Sequence, residues 1–247
     1  MNDFDGMVCV VTAGGAGIGR AHARQLAARG ATVHVVDLDG AAAEETAAGI
    51  GRNARAHSAD VTDPGRISEI AAAVVRGDGR IDTWTNTVGY FKPTSTLAEL
   101  TVEHWRRSME INLFGTFVCA KAAAETMMAQ GTGSIINVAS GAGLRARVPI
   151  DYSTAKAAVI HLSRSLALQL AGTGVRVNSV APGYTKTQMT GFLTEDAAAL
   201  AAFVERVPVR RLAEPDEIAN VLTFIHSPAA SFMTGSVVGA DGGSSLI

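Results

Sequence analysis

The feature that most constrains this chain is an alternation of short β-branched runs with Ala-rich helical stretches, repeated six or seven times over 247 residues. Residues 7–12 (MVCVVT), 32–37 (TVHVVD), 54–58, 81–85, 134–138, 175–180 and 236–239 read as strands. Between them, residues 16–29 read as a helix closed by Gly30, and 41–50 as one ended by Gly51. Asp63 as N-cap and Pro64 at the first helical position open another. A long or kinked helix is expected over 101–130, one over 152–171 stopped by Gly172 and Gly174, and one over 215–227. The strands are apolar throughout rather than alternating, the pattern of a parallel sheet with helices on both faces. A (β/α)₈ barrel would need an eighth unit and would leave the Gly-rich first turn unexplained. No Pro/Ser linker, charge block or repeat divides the chain, so residues 1–247 read as one α/β domain, a doubly wound parallel sheet of about seven strands. The rhythm breaks only at 183–208, which has no strand and a helical patch at 195–205. An insertion after a strand lies at the ligand-binding edge of such a sheet, so a substrate lid is expected near 184–208.

The bulk numbers exclude several partners. Lys plus Arg is 21 and Asp plus Glu is 23, a net charge of −2 with no basic excess for nucleic acid or an anionic membrane. The apolar runs are too short to span a bilayer, and the N-terminus MNDFDG has no basic stretch of a secretory leader. Cys9 and Cys119 are far apart in apolar runs, reading as buried thiols in a reducing compartment rather than a disulfide or metal site. The expectation is a cytoplasmic protein without a metal.

Strand 1 runs into TAGGAGIG, residues 12–19, and then a helix. Gly14, Gly17 and Gly19 let the backbone turn sharply and approach a pyrophosphate, whose charge meets the helix N-terminus, with Ile18 between them. A Gly-rich turn also serves simply to pack a strand on a helix; here an acid, Asp37, ends strand 2. Its carboxylate suits the ribose hydroxyls of NAD and would repel the extra phosphate of NADP. Leu38 follows where a phosphate site would want a base. Asp60 and Val61, after strand 3, are placed to bracket an adenine, or equally to form a turn capping the next helix. The missing Gly-Lys-Ser/Thr argues against a triphosphatase loop.

A second cluster lies in the other half. Tyr152 and Lys156 are one helical turn apart and point the same way. A tyrosine pKa of roughly 10 is too high for a neutral-pH base, and a nearby ammonium favours the phenolate. Ser140, ending a strand, can hold a carbonyl or alkoxide oxygen in place. Asn112 lies within the long middle helix. Each alone is weak, because Tyr-x-x-x-Lys pairs arise by chance, Ser140 suits a strand-end turn and Asn112 suits a helix kink.

Taken together, residues 12–19, 86–89, Asn112, Ser140, Tyr152, Lys156, Pro182-Gly183, Thr234-Gly235 and 241–243 resemble the short-chain dehydrogenase/reductase family in order and spacing, over essentially the whole chain. The resemblance implies a Rossmann-type fold, a nicotinamide cofactor and a homotetramer. It makes Tyr152 the general acid/base, and it makes Lys156 both the group that lowers the Tyr152 pKa and a ligand of the nicotinamide ribose. Ser140 would orient the substrate oxygen, and Asn112 would support a water-mediated proton relay. Asn86, Val88 and Gly89 would border the cofactor, with Pro182, Gly183, Thr185 and Thr187 at its carboxamide. Two departures stand out. Ala13 replaces a usual Gly, which demands an ordinary backbone conformation there. Thr87-Val88 replaces Asn/Ala-type residues, adding bulk beside the cofactor.

The substrate border is expected from Ala142, Leu144, Val148 and Tyr184, with Gly141, the stretch 189–203, Tyr90 and Phe91 nearby. Arg145 and Arg147 read as solvated loop charges. This mainly apolar set suits a neutral secondary alcohol or ketone: cyclic, steroid or terpenoid, or a 3-oxoacyl thioester. The alternatives are an epimerase or dehydratase on the same fold, a catalytically silent nucleotide-binding protein, and an S-adenosylmethionine methyltransferase, which would have no need of Tyr152 with Lys156.

Overall fold

The computed structural model describes residues 3–93, 96–146, 149–193, 197–205 and 207–247. Seven strands form one all-parallel sheet: β1 (Val8–Thr12), β2 (Thr32–Asp37), β3 (Ala54–Ser58), β4 (Thr83–Asn86), β5 (Gly133–Val138), β6 (Val175–Pro182) and β7 (Val237–Ala240). Their order is β3-β2-β1-β4-β5-β6-β7. Succession reverses between β1 and β4, which opens a crevice at the carboxyl ends of those strands, where ligands of such sheets bind.

Burial on both faces explains the continuous apolar strands. Val8 and Val10 of β1 pack into one core with α3 (Pro64–Asp78), α5 (Gly115–Gln130) and the end of α6 (Ile150–Leu170). Cys9 and Val11 face the other side, against α1 (Gly17–Ala28) and α2 (Gly40–Ile50). A third cluster joins β5 and β6 to α8 (Pro215–His226). Both cysteines are buried and unpaired. The edge strand β3 departs from the expected apolar pattern: its residues are half-buried or exposed, because only one neighbour covers it.

The start and stop residues act as their chemistry dictates. Asp63 accepts from the Arg66 amide at 3.0 Å with Pro64 behind it. Gly131, at φ +73, ends α5 in a left-handed cap. The long middle helix is broken. α4 (Val102–Met109) passes through a π-helical turn, Glu110–Phe114, before α5 begins, and Asn112 lies in that turn. After β6, a 3₁₀ turn (Gln188–Leu193) and the short α7 (Ala197–Val204) form the expected insertion. Among the described residues no helix is long and apolar enough to cross a membrane, and no cluster of His, Cys, Asp or Glu could hold a metal ion.

Candidate active site

One cleft of about 620 Å³ lies over the carboxyl ends of the strands at the reversal point. At one end β1 turns into α1. The N-cap, Ala16, makes no side-chain cap bond and the first turn carries no acid, so the first amides of α1 stay available to an anion. Asp37 closes this end. Its Oδ2 accepts from the Gly15 amide at 2.9 Å, its Oδ1 from the Asp39 amide at 3.0 Å. Gly19 has no room for a side chain: a Cβ there would sit 2.2 Å from the Ala13 carbonyl oxygen and 2.7 Å from Thr87 Oγ1. An uncapped helix start, a Gly-only backbone and an acid at the end of β2 fit a nicotinamide dinucleotide. Gly19→Ala is expected to lower stability by about 1–3 kcal/mol, the usual cost of overpacking, and to weaken cofactor binding at least tenfold. Thermal melting and cofactor titration check this.

Ala13 corrects a sequence expectation. Its φ is +49, not an ordinary conformation but the left-handed region that glycine favours. The turn is held regardless. Thr87 Oγ1 donates to the Thr12 carbonyl and, at 3.4 Å, to that of Ala13. The second departure thus steadies the first. Val88 is buried and its carbonyl faces the site.

At the other end stand Ser140, Tyr152 and Lys156, all lining the cleft. Lys156 is buried, and its Nζ donates to the carbonyls of Val88 at 2.9 Å and Val138 at 3.0 Å. These bonds tie α6 to the ends of β4 and β5. Burial brings the ammonium pKa down to about 8. Burial pushes the Tyr152 phenol up to about 12, with Ser140 pulling it down and the neighbouring Tyr184 phenol adding to the rise. Burial thus opposes the lowering of Tyr152 by Lys156 expected from the sequence. Lys156 Nζ sits 5.8 Å from the Tyr152 ring centroid and is engaged by main-chain carbonyls. Burial favours the protonated Tyr152 phenol, a proton donor.

Asn112 is fully buried behind the cleft. Its Nδ2 donates to the Tyr90 carbonyl at 2.8 Å and the Ser108 carbonyl at 3.0 Å, and its Oδ1 accepts from the Tyr90 amide at 2.9 Å. The side chain thus clamps the segment after β4 rather than reaching into the cleft. Asn86 is similarly internal: its Oδ1 accepts from Trp84 Nε1 and its Nδ2 donates to Asn137.

Gly17, Ile18, Gly19, Asp37, Val88, Gly89, Pro182, Gly183, Thr185, Thr187, Ala142 and Tyr184 line the cleft. Gly14, Leu38, Asp60, Val61, Asn86, Asn112 and Leu144 do not. Asp60 Oδ1 instead accepts from the Thr62 amide and hydroxyl, forming the turn reading of that position, and Val61 is buried against Gly115. Val148 and Arg147 lie outside the described residues. Sequence reasoning missed Pro93, Pro149, Ser244 and Ser245 in the lining. The two serines arrive because Asp241 accepts from the Gly243 and Ser245 amides, folding the tail back. The Asp-Gly-Gly after the last strand was the available signal. The apolar wall is aromatic. Phe91 meets the Tyr152 ring edge-on at 5.3 Å and stacks on Phe192 at 5.9 Å, and Tyr184 meets Phe203 at 4.2 Å.

A profile described as enoyl-(acyl carrier protein) reductase matches residues 12–245. The chain is 39% identical over 244 residues to the cis-4-hydroxycyclohexanecarboxylate dehydrogenase of Sinomonas cyclohexanicum, covering 97% of each. It is 37% identical over 251 residues to a 2,5-dichloro-2,5-cyclohexadiene-1,4-diol dehydrogenase of Sphingobium indicum, covering all of both. A short-chain type dehydrogenase/reductase from Mycobacterium ulcerans superimposes with a TM-score of 0.94 at 31% identity, over 98% of this chain and 90% of that one. The chain belongs to the short-chain dehydrogenase/reductase family. It is an oxidoreductase of the class that interconverts CH–OH and carbonyl groups with a nicotinamide cofactor.

Proposed function

We propose that this enzyme interconverts a neutral, compact cyclic secondary alcohol and its ketone, using NAD(H), with Tyr152 as the general acid/base. The observation that carries the proposal is the makeup of the cleft around Tyr152. Phe91, Phe192, Phe203, Tyr184 and Met189 wall it, and among the described lining residues Lys156 is the only base and Asp37 the only acid. Asp37 belongs to the cofactor end and Lys156 is held by two carbonyls. Among the described lining residues nothing charged is left to grip an anionic substrate, while an aromatic wall suits an apolar ring.

A bound nicotinamide supplies the hydride acceptor or donor. Gly17, Ile18 and Gly19 offer backbone to the pyrophosphate, Asp37 the ribose hydroxyls, and Pro182, Gly183, Thr185 and Thr187 the carboxamide. Ser140 and Tyr152 hold the substrate oxygen between two hydroxyls. In ketone reduction Tyr152 Oη gives its proton to the developing alkoxide; in oxidation the phenolate takes it back. Lys156 keeps a positive charge beside that phenolate, and Asn112 fixes the segment that floors the cleft. The intact set favours this reading over a silent binding protein.

Lys156→Met is expected to lower stability as well as rate, because the Val88 and Val138 carbonyls lose their buried donor. An unsatisfied buried acceptor costs about 1–3 kcal/mol. Denaturant melts beside steady-state kinetics check this. A neutral cyclohexanol is expected to exceed its carboxylated analogue at least tenfold in kcat/KM; equal values would count against the substrate assignment. We also propose a cytoplasmic homotetramer. Phe232 is fully exposed and Leu168 largely so, and such apolar residues suit subunit contacts. A monomeric mass by light scattering at micromolar concentration would refute the assembly.

A further inference from the structure

A second acid lies beside the acid/base. Asp151 immediately precedes Tyr152 in the first turn of α6, is only 1% exposed, and its Oδ1 has no hydrogen-bond partner. Its other oxygen stands 3.4 Å from Nε2 of His104, itself buried on α4 and, like Oδ1, without a hydrogen-bond partner. Burying a carboxylate is costly unless it is paired. A solvated Asp at a helix start would give the same favourable dipole without that cost. Catalytic geometry at the next residue offers a reason for keeping it.

Contacts run from this pair round to Tyr152 by a second route. The His104 ring meets the Tyr90 ring edge-on at 5.9 Å. The main chain of Tyr90 is clamped on both sides by Asn112. Next in sequence, Phe91 packs its ring edge-on against Tyr152. The loop therefore closes: Tyr152, Asp151, His104, Tyr90, Phe91 and Tyr152 again. Successive helix residues are about 100° apart around the axis, so fixing Asp151 against α4 fixes the direction in which Tyr152 leaves α6. The N-cap of that helix, Pro149, supplies no side-chain cap, so this contact holds the first turn while the Lys156 bonds hold the next one.

We infer that His104 and Asp151 are positioning residues: their contact, spanning α4 and the first turn of α6, aims the Tyr152 hydroxyl at the substrate oxygen. The inference rests on the reading of Tyr152 as acid/base. Neither side chain lines the cleft, so neither touches substrate or cofactor.

The test compares wild type, Asp151→Asn, His104→Phe, the double variant and Tyr152→Phe in NAD-dependent oxidation of a neutral cyclic alcohol. Asp151→Asn keeps the shape and removes the charge. His104→Phe keeps an aromatic ring, a larger one, on Tyr90 and removes the nitrogens. Each single variant is expected to lose roughly ten- to hundredfold in kcat, the scale of a slight misplacement of a reacting group, with KM for NAD unchanged. The double variant should lose no more than the worse single, because one contact is broken either way. Wild-type kcat in both folded singles, or losses that multiply in the double, would overturn the inference. If Asp151→Asn fails to fold, His104→Phe alone decides by its kcat against its KM for NAD. A nearly normal Tyr152→Phe would overturn the parent reading instead; an inactive Tyr152→Phe beside normal singles would overturn only this one.

Discussion

Tyr152→Phe is expected to lower the rate of alcohol oxidation by roughly two to four orders of magnitude, the scale of losing a positioned acid/base. The substitution removes one hydroxyl and keeps the ring. The ring's edge-on contact with Phe91 therefore survives, and folding and cofactor affinity should be little changed. The pH dependence follows from the protonation state. Burial pushes the phenol up to about 12, so the base form is scarce at neutral pH and grows as pH rises. Oxidation should accordingly rise with pH and level off near an apparent pKa belonging to the Tyr152–Lys156 pair; reduction, which needs the protonated phenol, should fall over the same range. Single-turnover rates across pH for wild type and variant check both signs. A flat oxidation profile would separate Tyr152 from the proton.

The second large effect concerns cofactor choice. NAD is expected to exceed NADP by about a hundredfold or more in kcat/KM, since setting like charges together costs several kcal/mol. A 2′-phosphate would meet the Asp37 carboxylate, which cannot turn aside because the Gly15 and Asp39 amides hold both oxygens. Leu38 beside it is 70% exposed, so an arginine there has room to reach a phosphate. Asp37→Ala with Leu38→Arg should narrow or reverse the preference. It should also cost about 1 kcal/mol of stability, because the Gly15 amide loses its acceptor. Parallel titrations with both cofactors test this, and equal wild-type efficiencies would contradict it.

Much of this fold was legible because its signals are local. The apolar runs, the Asp63-Pro64 start and the glycines after several helices lie in the sequence itself, and the strand boundaries moved by only a residue or two. The insertion after β6 followed from an interrupted rhythm. Less legible were features set by tertiary contact. Ala13 takes a positive φ because the neighbouring turn demands it, and no composition rule marks an alanine for that. The π-turn at Asn112 follows from packing against the segment after β4, whose main chain that side chain clamps. The four-residue spacing put Tyr152 and Lys156 on one face of α6. The carbonyls that hold Lys156 come from the end of β5 and the segment after β4, distant in sequence, and the burial that pushes the Tyr152 phenol up comes from tertiary packing that spacing alone does not show. Ser244 and Ser245 reach the cleft through the placement of β7 beside β6 together with the turn that Asp241 holds.

The most direct test of the account is an initial-rate assay following the near-ultraviolet absorbance of reduced nicotinamide. Purified enzyme would be given NAD and a panel of neutral cyclic secondary alcohols, with Tyr152→Phe as the paired control. The account predicts that at least one cyclic alcohol drives reduction of NAD by wild type, much faster than with NADP, and that the signal collapses in the variant. Equal rates from wild type and Tyr152→Phe on a turned-over alcohol would contradict it.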